Sequence, residues 1–264
     1  MDILKRSISN ITDEAWSEID EQVVRVLRSN LSARKFVDIS GPFGWDYAAH
    51  SLGRIEVPEG NKEKVTFGIH KVMPLTEVRV MFDLNTWELD NITRGSKDPD
   101  LSELETASRE IAFFEEKAVY KGFEQGCIAG ISPVADNNSM EGSRDSLMEV
   151  LSRACRKMGQ NSVEGPYALV ADEELWTYIY SKSAGYPLSR SVTSIIDGGI
   201  ILSPSIEGSY LVSLRGGDME MVLGQDYSVG YQSRNKETVT LFITESFTFR
   251  LINPEAVIVF NHKT

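Results

Sequence analysis

Apolar residues recur at three- and four-residue spacing near the start of the chain. Trp16, Ile19, Val23, Leu27 and Leu31 fall on one side of a 3.6-residue repeat. The spacing predicts a helix opened by Thr12 or Asp13. Asp13, Glu14 and Glu18 lie near its start and Arg25 and Arg28 near its end, where the macrodipole favours them. The period then changes to two. Ile55 and Val57 alternate before the Pro58–Asn61 stretch "PEGN", and Val65, Phe67 and Ile69 alternate after it. That predicts a long hairpin on a Pro-Gly turn. Its arms are thinly apolar, with Arg54, Glu56, Lys62, Glu63 and Lys64 among them. An isolated hairpin is marginal in water, so this one is expected to lie on another surface, a neighbouring chain first of all.

Val78, Val80, Phe82 and Leu84 face one way and Glu77, Arg79 and Asp83 the other, a strand that "NTWELDN" is expected to close. A long helix follows from "DPDLSELE", with Ser102 and Glu105 as a capping box. Leu101, Leu104, Ile111, Ala118, Val119 and Gly122 lie roughly on one face of it, and Gly126 is the expected stop. From about residue 131 the units shorten and alternate. "RDSLMEVLSRACRKMG" reads as a helix with Leu147, Val150, Leu151 and Ala154 inward. "YALVA" reads as a strand, and "DEELWTYIYSKSAG" as a helix capped by Asp172 and ended by Gly185. "GGIILSP", "YLVSLRGG" and "MEMVLG" read as short strands. This α/β segment, roughly 131–224, is expected to form a second unit. The rest is mostly strand, with Val239, Leu241, Ile243, Phe247, Phe249 and Leu251 on one alternating face.

Composition narrows the function classes. At 264 residues the chain is near the upper size for one core, so one or two domains are expected. A net charge of −12 argues against nucleic acid as the main partner, because phosphate binding needs clustered Lys and Arg. No window approaches the roughly 18–20 apolar residues of a membrane span, and "MDILKRSISNITDEAW" lacks a signal peptide's apolar run. Cys127 and Cys155 have no metal or redox spacing and read as reduced thiols, so a cytoplasmic protein is expected.

Candidate chemistry is sparse. The three histidines, His50, His70 and His262, form no HExxH, and there is no GxSxG, P-loop or GxGxxG. His50 lies in "GPFGWDYAAHSLG", Gly41–Gly53, where it could pair with Asp46 as an acid–base dyad; a structural histidine is the favoured reading. Glu245 interrupts the apolar face of the last long strand. It could be catalytic, but an acid at an interface or hairpin edge is favoured over that. Trp87, with Arg79 upstream, could stack a flat anionic ligand such as a flavin, against the plainer reading of a tryptophan anchoring a turn. The N-terminal helix packs by default on its own chain. It could also wall a peptide groove, with Arg34, Lys35 and Asp38 on the rim. No catalytic constellation emerges, and a non-enzyme is expected.

Taken in order, "ILKRS", "RKFVDISGPFGWDYAAHSLG", "WELDN", "EGPYALV", "LGQDYSVGY" and "LFITESFTFRLINPEA" resemble the encapsulin shell proteins of bacteria and archaea, from the first residues to about Phe260. The resemblance implies an α+β fold of the tailed-phage major capsid type. It implies an N-terminal lumenal helix region at 1–40 and a peripheral domain from 41–49, 76–130 and 225–264. An extended loop at 50–75 and an axial domain at 131–224 complete it. The implied function is a self-assembling subunit of an icosahedral nanocompartment, the smallest arrangement being favoured. It would enclose a cargo enzyme, of ferritin-like or dye-decolorising peroxidase type, through the cargo's C-terminal targeting peptide.

For the residues, the resemblance implies cargo-peptide contacts at Leu27, Leu31, Arg34, Asp38 and Tyr231. It implies a pore from Tyr186, Pro187, Leu188, Ser189 and Arg190 within "SAGYPLSRS", passing ions or small molecules. Trp87 and Arg79 would hold a flavin where one is bound, with no cofactor required and no metal. The partners expected are copies of the same chain and the cargo, with neither nucleic acid nor membrane. "GPFGWDYAAHSLG" becomes architecture: glycines for turns, and Phe43, Trp45 and Tyr47 for contact area. The rival readings are a phage or prophage capsid protein, against which the acidic charge and lumenal helix speak, and a secreted bacteriocin or protease, which the missing signal and catalytic set oppose.

Overall fold

The computed structural model describes residues 2–58, 65–142, 144–182 and 185–262. The "PEGN" turn from residue 59 onward, and Ser183 and Ala184 of "SAGYPLSRS", lie outside the described residues.

The first helix, α1 (Asp13–Asn30), starts where expected. Thr12 is extended and its hydroxyl accepts from the Ala15 amide at 3.3 Å. Its apolar stripe, Trp16, Ile19, Val23 and Leu27, is buried. Strand β1 (Asp38–Ser40) follows. Next comes the hairpin of β2 (Ala49–Glu56) and β3 (Ile69–Pro74), a separate two-stranded sheet. Ile55, Val57, Val65, Ile69 and Val72 on it are exposed. Strand β4 (Thr76–Asn85) runs directly into α2 (Thr86–Thr93). The expected closing turn at "NTWELDN" is therefore a helix. Asn85 caps it, its side-chain oxygen accepting from the Trp87 amide at 2.8 Å.

The long helix α3 (Ser102–Lys121) departs from expectation at both ends. The capping box does not form, because Leu101 occupies the cap position and Ser102 is already helical. The Ser102 amide donates to Asp100 at 3.1 Å, and Glu105 is taken by Gln22 of α1, 2.6 Å away. The stop is Gly122, not Gly126. Gly122 has φ +90°, and a Cβ there would sit 2.6 Å from the Ala129 carbonyl oxygen. The short α4 (Ile131–Val134) and β5 (Ser139–Gly142) come next. Then follow α5 (Leu147–Gln160), β6 (Tyr167–Ala171), α6 (Glu173–Ser181) and α7 (Leu188–Ile196). Asp172 caps α6 as predicted, accepting from Leu175 N at 2.8 Å. That helix ends at Ser181, before Gly185. The remainder is β7 (Asp197–Leu202), β8 (Ser209–Ser213), β9 (Met219–Leu223), β10 (Ser228–Arg234), β11 (Thr238–Leu251) and β12 (Val257–His262).

Two five-stranded sheets organise these elements. In the first, the 14-residue β11 is the spine. It pairs with β4 along one side and with β10 and then β9 along the other, while β1 adds parallel to β9. The second has the order β5-β12-β8-β6-β7. The sheets therefore cut across the boundary expected at 224/225. Strand β9 belongs to the first sheet, and β12 returns after a turn at Pro254–Ala256 to lie beside β8 in the second.

Three apolar clusters fill the layers. One joins α1, α2 and α3 to the first sheet through Ile19, Val23, Leu104, Ile111, Leu241 and Ile243. A second holds α5, α6 and α7 on the other sheet through Leu151, Met158, Ile179, Ile196 and Ile258. The third lies at the junction, where Val119, Tyr120 and Ile131 meet Val170, Tyr210, Met221 and Phe249.

Candidate functional site

At the C-terminal end of α1 the helix stops burying its whole outer face. Val24 is exposed, and the chain beyond Asn30 turns inward so that Leu31 and Ala33 are buried. A groove of about 360 Å³ opens here, lined by Val24, Leu27, Leu31, Arg34, Asp226 and Tyr227, with Arg28 and Lys35 at its margins. A broader depression of about 710 Å³ continues along α1 over Asp20, Glu21, Arg25 and Ser29, sharing Val24 and Arg28. The walls are apolar and the margins carry both signs of charge, an arrangement suited to a short extended peptide.

Arg34 holds the floor. Its Nε and Nη2 donate to Glu115 of α3 at 2.5–3.0 Å, Nη1 to Asp226 at 2.8 Å and Nη2 to Glu245 at 3.1 Å. Its guanidinium lies over the Tyr227 ring, 4.6 Å from the centroid, and the Tyr227 hydroxyl donates to Glu115 at 3.1 Å. Burial opposes the charge on Arg34, yet Glu115, by its charge and its hydrogen bonds, holds the guanidinium firmly protonated. Glu245 is fully buried and one of its carboxylate oxygens has no partner among the described residues. Burial first, and then the Glu115 charge, push its carboxyl well above the usual glutamate range. The expected interface or hairpin-edge acid is corrected here: Glu245 sits mid-strand on β11, paired with Val78 of β4 and buried inside its own chain.

A second buried acid backs the first. Glu116 accepts from the amides of Ser32 and Ala33 at 3.0 and 2.8 Å, and from the hydroxyls of Ser32 and Ser203. The Ser32 hydroxyl also meets that of Tyr120 at 2.7 Å. Burial raises the Glu116 carboxyl even against these hydrogen bonds. One stretch, Ser32–Arg34, thus ties the end of α1 to α3, to the first sheet through Glu245, and to the segment after β7 through Ser203.

The five residues expected at the groove separate. Leu27, Leu31 and Arg34 line it. Asp38 does not: it lies on β1 and its carboxylate accepts from the Gly217 amide at 2.5 Å. Nor does Tyr231. Its amide donates to the Leu4 carbonyl at 2.8 Å while Arg6 Nε donates to Val229 O at 2.7 Å, so the N-terminal segment covers that edge of β10. Arg6 is itself fixed by Asp20 and by the Trp16 ring. The aromatic wall opposite α1 is Tyr227, four positions earlier, together with Asp226. "LGQDYSVGY" contains both tyrosines, and only tertiary packing shows which one faces the groove.

The other expected pairings come apart. Arg79 lies over the Phe242 ring at 4.1 Å and pairs with Glu77, while the exposed Trp87 indole has Arg94 at 5.8 Å. Within this chain Arg79 and Trp87 therefore have separate partners. Tyr186 and Pro187 precede α7, and Leu188, Ser189 and Arg190 form its first turn, with Tyr186 exposed and Leu188 packed against the second-sheet core.

His50 faces Glu220 at 3.7 Å and the Tyr47 hydroxyl at 3.2 Å; the acid it meets is Glu220, not Asp46. Glu220 is held in turn by Arg250, its cross-strand neighbour. This set braces the base of the hairpin on the first sheet. The glycine turns beside it are enforced by contact: Gly41 has φ +115°, a Cβ there would meet the Leu223 carbonyl oxygen at 2.4 Å, and Phe43 N donates to that oxygen at 3.0 Å. The Phe43 and Tyr47 rings pack 4.7 Å apart.

Comparison with known proteins bears on the family and the fold. The family described as "Encapsulating protein for peroxidase" matches residues 1–248. A type 1 encapsulin shell protein of Rhodospirillum rubrum is 37% identical, the match covering 98% of this chain and 96% of that one. One of Mycobacterium tuberculosis is 31% identical over 99% of this chain and 100% of its own. Among solved structures, a virus-like particle from Pyrococcus furiosus superposes with a TM-score of 0.66 at 17% identity, covering 93% of this chain and 98% of that one.

Proposed function

This chain belongs to the encapsulin shell-protein family, and on that footing we propose that the α1 groove seats a short peptide of a cargo protein on the inner face of a closed shell. The chain is a shell-forming nanocompartment subunit with the capsid-type fold, a structural role. The finer reading is ours. The shell is icosahedral and cytoplasmic, it performs no chemistry itself, and its cargo is a separate enzyme. Residues 186–190 line an opening where axial units meet, and the exposed hairpin lies on a neighbouring copy.

One observation carries the peptide reading. The groove has apolar walls, yet its floor is held by a guanidinium with three carboxylate partners. Such a floor is rigid before anything binds, which lowers the ordering cost of capturing a flexible segment. Apolar side chains of the peptide would enter beside Val24, Leu27 and Leu31, while Arg28, Lys35 and Asp226 fix its register.

The test is to purify the native assembly, identify the co-purifying protein by mass spectrometry, and measure binding of its C-terminal segment to shells. Val24 is exposed, so Val24→Asp leaves the fold intact; it is expected to weaken binding by about tenfold or more. Equal loading of wild-type and Val24→Asp shells would place the peptide elsewhere.

A further inference from the structure

The second sheet ends in an edge strand, β5, paired among the described residues only with β12. Beside it, the C-terminal half of α5 presents Arg153, Arg156 and Lys157 around a depression of about 330 Å³ that also touches Met140, Glu141 and Gln160. Arg153 reaches Glu149 only at 4.0 Å, with both side chains half exposed or more. The side chains of Arg156 and Lys157 have no hydrogen-bond or ion-pair partner among the described residues. Three cations at i, i+3 and i+4 are conspicuous in a chain of net charge −12. The helix dipole accounts for Lys157 in the last turn but gives little to Arg153 a turn earlier.

We propose that this depression docks an acidic edge of a second copy of this chain. Glu141 in the same depression would repel a free anion. A polypeptide can bring carboxylates to the cations and also meet the outward backbone groups of β5. The opposite edge of the same α/β layer supplies the complement. Strand β7 ends the sheet on that side and α6 packs over β6 and β7. There the Asp197 and Glu173 side chains are exposed, and neither carboxylate has a partner among the described residues. A positive edge and a negative edge on one unit make a head-to-tail contact, the kind that closes into rings. The proposal goes beyond the cargo reading and rests only on self-assembly, so its failure leaves the α1 groove untouched.

The test mixes isotopically labelled and unlabelled subunits, assembles shells, and applies a zero-length carbodiimide cross-linker. Lys157 is expected to join a carboxylate of a differently labelled copy, Glu173 or Asp197 foremost. The yield should fall as salt shortens the screening length from about 10 Å at 0.1 M to about 3 Å at 1 M. The Arg153→Gln, Arg156→Gln double variant, altered only at exposed positions, is expected to need about tenfold more subunit to assemble. Cross-links of Lys157 only within its own chain, with unchanged assembly of the double variant, would overturn the proposal. Protection of Lys157 by inorganic phosphate, without intermolecular cross-links, would assign the site to a free anion and overturn it equally.

Discussion

Arg34 decides most of what happens at the candidate groove. Its removal leaves the Glu115 carboxylate buried without a counter-charge and takes a hydrogen-bond donor from Glu245. Breaking such a pair costs about 3–5 kcal/mol, so Arg34→Ala is expected to lower the urea midpoint by that equivalent and to loosen the groove floor. Glu245 adds a pH dependence whose sign follows from its burial. Its folded-state value is raised above the ordinary 4.5, so the native chain holds a proton that the unfolded chain releases. Stability from this group is full below about that ordinary value and declines as pH rises through the raised native one. Glu245→Gln is expected to flatten that decline, read as melting temperature against pH in wild type and variant. The sequence singled out both residues, Arg34 for a charged rim and Glu245 for breaking an apolar stripe. What it could not supply was their contact, because residues 34, 115, 226 and 245 are brought together only by α3 packing against β11.

The elements whose signals are local were legible. The α1 stripe, the Thr12 and Asp172 caps and the β4 alternation all stand where the periodicity put them. Signals with two physical solutions were misread. Ser102 and Glu105 have capping-box spacing, but Glu105 bonds Gln22 across the α1–α3 interface instead. Gly122 sits on the apolar face of α3 and reads as packing, whereas it ends the helix because the following loop passes too close for a Cβ. Gly122→Ala is therefore expected to destabilise by at least about 2 kcal/mol, combining left-handed strain with a backbone clash. Equilibrium unfolding checks this, and an unchanged midpoint would mean that the loop yields. The opening of α7 at Leu188 was hidden because "GYPLSRS" carries turn residues ahead of its apolar positions Val192 and Ile196.

At the scale of the whole molecule, the order of motifs gave the family and the capsid-type fold, while the division of the chain between sheets could not be read from it. Strand β12 joins the second sheet from the far end of the chain, a long-range pairing with no local signature. The same scale explains the hairpin. Ile55, Val57, Val65, Ile69 and Val72 remain exposed on a two-stranded sheet that packs on neither main sheet by strand pairing. Such a ribbon is stabilised when a second copy covers it. Subunit stability and assembly are then linked, because interfaces that bind only the folded chain raise its apparent stability. The most direct measurement is the mass of the purified native protein by size-exclusion chromatography with light scattering. The account predicts a uniform closed particle in the megadalton range, built from 29.5 kDa subunits. A folded monomer or dimer that never closes into a particle would contradict it.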